Sequence, residues 1–77
     1  MDRLKKYVKE RNKAMFSLDE KKIKAFCRKW GVPIPENENV FWAGVHKVIL
    51  HTTASTDAQK AHSLLWLVMH GFSPNIE

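Results

Sequence analysis

The tetrapeptide Val32-Pro33-Ile34-Pro35 is the strongest single constraint on how this 77-residue chain folds. Each proline removes a backbone donor and drives the residue before it out of helical φ/ψ space, so residues 32–35 run extended. Gly31, just before it, reads as the left-handed residue that closes a helix, which places Val32 near Cys27. Apolar residues on either side recur at steps of three and four, the mark of helices, and no strand pattern competes.

Four helices follow, over roughly residues 2–14, 18–30, 37–51 and 57–70. In the first, Leu4, Tyr7, Val8, Arg11 and Met15 form a narrow stripe, with Lys5, Lys9 and Lys13 on a ridge away from it. Ser17-Leu18-Asp19-Glu20 reads as a capping box opening the second helix, whose core face is Ile23, Phe26, Cys27 and Trp30. Asn37 or Asn39 caps the third. From Val40 to His51 that helix is apolar almost all round, which makes it a central one. Phe41, Val45, Val48 and Ile49 lie on one side, Gly44 lets another backbone come close, and His46 stands on a flank beside Trp42 and Leu50. Thr56-Asp57-Ala58-Gln59 is a second capping box. The core face of the fourth helix reads as Ala58, Ala61, Leu64, Leu65, Val68 and Met69, and Gly71 ends it.

The expected fold is all-α: a compact, single-domain bundle of four short helices. A chain below ~80 residues rarely draws more than ~3–5 kcal/mol from one core and needs dense packing, a staple or a partner. Cys27 is the only cysteine, so no intrachain disulfide forms, and no Cys/His spacing matches structural zinc. Dense packing and oligomerisation remain. The charged N-terminus has no apolar run behind it and does not read as a signal peptide. The longest apolar run, residues 64–69, falls far short of a membrane span. A cytoplasmic location is the expectation.

Charge is unevenly placed. Residues 1–30 hold eleven of the thirteen Lys and Arg against four acids, a net +7, whereas residues 31–77 carry two against four, a net −2. A local positive field favours an anionic partner. The candidate nucleic-acid-binding residues are Lys5, Lys9 and Lys13 on the first helix with Lys21, Lys24 and Arg28 on the second. The plainer reading is a solvated face that aids solubility.

A second candidate is the ridge His62, Trp66 and His70, spaced at i, i+4 and i+8 on the fourth helix and off its core face, as is Leu67. Exposed Trp is enriched at protein interfaces. The alternative is internal cover, with Trp66 under the first helix or under the tail 73–77, and with Phe72 against Leu67 as ordinary helix-end packing. The histidines do not read as metal ligands: His46 and His51 are turned about 140° apart on a helix, and His62 and His70 are two turns apart. No phosphate-cradling glycine loop, serine elbow or paired carboxylates suggest catalysis, and Cys27 reads as a core residue. No catalytic residue, metal or cofactor is therefore expected. The apolar face of the first helix is too thin for membrane-surface binding.

The segments Ser17-Leu18-Asp19-Glu20-Lys21-Lys22-Ile23-Lys24-Ala25-Phe26-Cys27, Ile34-Pro35-Glu36-Asn37-Glu38, Phe41-Trp42-Ala43-Gly44-Val45-His46-Lys47 and His70-Gly71-Phe72-Ser73-Pro74 carry a resemblance. Across residues 17–76 the chain resembles small proteins carried by prophages and other mobile elements of Gram-positive bacteria. The resemblance implies a cytoplasmic bacterial setting and transfers no activity or site residue. The functional expectation is a non-enzymatic accessory protein acting as a protein-interaction module, with another protein or a second copy of the chain as partner. The alternative is a nucleic-acid-binding accessory protein using the two basic helices.

Overall fold

The computed structural model describes residues 2–74. Among these the chain is all-α, with helices α1 (Asp2–Ser17), α2 (Glu20–Trp30), α3 (Glu38–His51) and α4 (Asp57–Met69) and no strand. The sequence reading groups the four helices in one bundle; their packing divides into two units, Met1–Ile34 and Pro35–Glu77. Each is a helical hairpin, α1 on α2 and α3 on α4.

In the first unit α1 runs three residues further than expected, and the anticipated Ser17–Glu20 capping box does not form. Ser17 belongs to the last turn of α1: its hydroxyl donates to the Ala14 carbonyl at 2.5 Å and accepts from the Asp19 N–H at 3.1 Å. Asp19 is the N-cap of α2, its carboxylate accepting from the N–H groups of Lys21 (2.9 Å) and Lys22 (3.4 Å). An ionised acceptor facing the positive end of a helix dipole outcompetes a neutral hydroxyl two residues earlier. Leu18 makes the turn between them in a left-handed conformation, φ 52°. At the other end of α2, Gly31 sits at φ 69° and the Val32 N–H donates to the Cys27 carbonyl at 2.8 Å, as its sequence position suggests. Ile23, Phe26 and Cys27 are buried on α2, and Ala14 and Met15 on α1. The Tyr7 ring lies 5.5 Å from Phe26 and meets Trp30 edge-on at 5.3 Å. Leu4, expected on this stripe, is exposed.

In the second unit Asn37 caps α3, accepting from the N–H groups of Asn39 and Val40 at 2.9 and 3.2 Å. Thr56 and Gln59 form the expected reciprocal capping box on α4, at 3.1 and 2.8 Å. Gly71 closes α4, and the Phe72 N–H donates to the Leu67 carbonyl at 2.9 Å. The Ser55 hydroxyl ties the link between the helices to the Ile49 carbonyl at 2.6 Å. Phe41, Ala43, Val45, His46 and Ile49 are buried on α3. Three expectations for this unit are overturned. His46 is a buried residue and not a flank. Gly44 is exposed, and a Cβ there would meet nothing, so it admits no neighbouring backbone. The face of α4 expected to be core points to solvent, while Leu67, expected off the core face, is its fully buried apolar residue.

Candidate functional site

The rotation of α4 follows from one polar residue on α3. His46 is only 3 % exposed and requires a polar partner where it is buried. Ser63 supplies it: His46 Nδ1 and Ser63 Oγ share a hydrogen bond of 2.9 Å, and Ser63 is itself 1 % exposed. Turning Ser63 toward α3 sends residues on the far side of α4 outward, because Ala61 lies about 200° from Ser63 around a helix of 3.6 residues per turn.

The predicted ridge His62, Trp66, His70 borders this inner side. The Trp66 ring stacks on His46 at 4.7 Å, on His70 at 4.0 Å and on Phe72 at 6.0 Å. His62 lies 5.8 Å from His46. His70 Nδ1 donates to the Trp66 carbonyl at 2.8 Å. Trp66 is half-buried in this stack, whereas His62 and His70 are exposed at its edges. The alternative cover from the end of the tail, residues 75–77, lies outside the described residues. Burial first, and then the charges of His62 and His70, push the His46 pKa down to about 4, so its imidazole is neutral at pH 7. The Ser63–His46 pair has the composition of a nucleophile and base, but burial of both closes it to substrate.

The outer side of α4 is the largest feature that periodicity located and misassigned. Leu64, Leu65, Val68 and Met69 are 41, 58, 58 and 73 % exposed, and Ala58 and Ala61 extend the same face. Asp57 is its one charged residue and stands at the N-terminal end. The exposed apolar side chains of Leu64, Leu65, Val68 and Met69 are neighbours on this one face of α4.

Of the six basic candidates, Lys13 lines a groove between α1 and α2. It shares the groove with Lys22 and Lys29 of α2, above Ala14 and Phe26. Arg3 and Lys6 join Lys29 around Trp30 in an adjoining hollow. Lys5 and Lys9 are exposed and do not line the groove, nor do Lys21, Lys24 and Arg28. Lys24 pairs with Glu20 at 2.7 Å. Lys22 and Lys29, missed in the sequence, share one side of α2 by their i, i+7 spacing. Lys29 Nζ and Trp30 Nε1 both donate to Glu10 Oε1, at 2.8 and 3.2 Å, and these two bonds hold the Glu10 carboxyl below its ordinary pKa. The Arg3 guanidinium and Lys29 ammonium lie 5.3 and 5.7 Å from the centre of the Trp30 ring.

Cys27 is buried, and that burial raises its thiol pKa, the opposite of an activated nucleophile. Among the described residues no three His, Cys, Asp or Glu gather as a metal site, and no helix is long and apolar enough to cross a membrane. Compared with protein-family models, curated proteins and solved structures, the chain matches none.

Proposed function

We propose that this protein is a small non-enzymatic interaction module that binds another protein surface through the outer face of α4. The observation that carries the reading is the exposure of Leu64, Leu65, Val68 and Met69 side by side on one helix. Hydrophobic groups displayed this way gain about 25 cal/mol per Å² when a partner removes them from water. The same arrangement supports a binding role over catalysis, since Cys27 and the Ser63–His46 pair are sealed from solvent. An accessory protein of a bacterial mobile element, working in the cytoplasm, is the setting that the sequence resemblance implies.

The test is a photoreactive phenylalanine analogue placed at position 65 or 68 and irradiated in cells of the native host, with position 9 as an exposed control. A covalent protein adduct at 65 and 68, absent at 9, is the expected result. Irradiated cells that yield no adduct at either apolar position remove the proposal.

A second reading rests on the first unit. Lys13 and Lys22 line one groove, together with Lys29 in its pair with Glu10, and Arg3 and Lys6 stand beside it, so cations predominate at this surface of the hairpin. That arrangement suits the phosphate backbone of a nucleic acid.

A further inference from the structure

We infer that the partner of the α4 outer face is a second copy of this chain, docked as an antiparallel α4–α4 pair about a two-fold axis. This rests on the reading of that face as an interaction surface and names its occupant. The first ground is spacing. Ala58, Ala61, Leu65 and Val68 follow one another at steps of three, four and three, the seam by which one helix packs along another, with Leu64 and Met69 flanking it.

The second ground is a gradient of size along the seam. Its N-terminal half is alanine and its C-terminal half is leucine and valine. A parallel pair would set alanine against alanine at one end and crowd large residues at the other. An antiparallel pair sets Ala58 against Val68 and Ala61 against Leu65, so every layer holds one small and one large side chain and the helices stay close along their length. Two-fold symmetry makes that match self-complementary, and it places each helix N-terminus beside the C-terminus of its mate.

The third ground is charge. Beyond Asp57 the exposed seam is uncharged, so two copies meet without apposed like charges. The fourth is area. The face belongs to one helix of 13 residues, a footprint at the small end of specific interfaces and suited to reversible, concentration-dependent association.

Sedimentation equilibrium of the full chain from low micromolar to millimolar concentration tests this. A reversible monomer–dimer equilibrium is expected, weakened by about tenfold or more in Leu65→Glu and Val68→Glu, which place a carboxylate in the seam. Chains carrying Ala61→Cys and Leu65→Cys, each with Cys27→Ala, are then mixed and oxidised. The expected product is the mixed 61–65 disulfide; predominance of 65–65 links would mean parallel pairing and overturn the inference. If Cys27→Ala prevents folding, the charged variants decide alone. A chain monomeric throughout, yet giving a photo-adduct with a different protein at position 65, overturns the second copy and keeps the interaction reading. A dimer that both charged variants leave unchanged pairs elsewhere and overturns the inference, while the photo-adduct at positions 65 and 68 decides the interaction reading.

Discussion

Leu65 and Leu67 are the same residue type two positions apart on α4, and their surroundings are opposite. Leu67 has no exposed surface, whereas Leu65 is more than half exposed. Leu67→Ala removes buried methyl groups and leaves a cavity, so it lowers stability by about 3 kcal/mol. Leu65→Ser, measured where the chain is monomeric, changes stability by less than about 0.5 kcal/mol. Urea denaturation compares them, and the reverse order would mean that α4 is turned the other way. His46 makes a prediction of its own. Its folded pKa, about 4, lies below the ordinary histidine value of 6.5, so the unfolded chain takes up the proton first. The stability this contributes is complete above about pH 6.5 and is lost as the pH falls toward 4, a change on the order of 3 kcal/mol. The nearby His62 and His70 act in the same direction, electrostatically disfavouring protonation of His46. Urea midpoints at pH 7 and pH 4.5 read the loss, and equal midpoints would contradict a neutral buried imidazole.

For single helices, the caps are the most local of the features and were the most legible. Asn37, the Thr56–Gln59 box, Gly31 and Gly71 each act through backbone groups within a few residues, so sequence neighbours suffice to locate them. The α1–α2 turn was the exception, because Ser17 and Asp19 both suit the cap and their competition turns on charge. Asp19→Ala is therefore expected to cost about 1 kcal/mol and Glu20→Gln a few tenths, by thermal denaturation. Equal losses would restore the box built on Ser17 and Glu20. Periodicity failed where more was asked of it. The 3.6-residue pattern of α4 found an apolar face correctly, but a pattern within one helix does not say which side meets its neighbour. One hydrogen bond to His46, seventeen residues away in the chain, settles that rotation. Nothing in the spacing of Ser63 announces it, and the one available signal, a histidine within the apolar run of α3, reads in the sequence as a flank residue. Spacing along one helix likewise groups Lys13 with Lys5 and Lys9, while its neighbours across the groove are Lys22 and Lys29, a relation set by how α1 packs on α2.

The molecule as a whole separates two chemistries along its chain. Residues 1–34 carry eleven Lys and Arg against four acids, and residues 35–77 two against four, while the most continuous exposed apolar face belongs to the second set. A polyanion and an apolar partner would thus engage different hairpins. If the first hairpin binds nucleic acid through its groove, each lysine that neutralises a phosphate contributes about −0.9 to the slope of log affinity against log salt on duplex DNA. Lys13→Gln combined with Lys22→Gln should then weaken binding of a labelled duplex and flatten that slope by about 1.8. Lys5→Gln with Lys9→Gln, which removes equal charge from outside the groove, should change the slope less. Fluorescence anisotropy across a salt series separates the cases. If the two pairs have equal effects, the exposed ridge of α1 shares the contact and the groove is not the site. If no binding appears even at low salt, the lysines are a solvated coat.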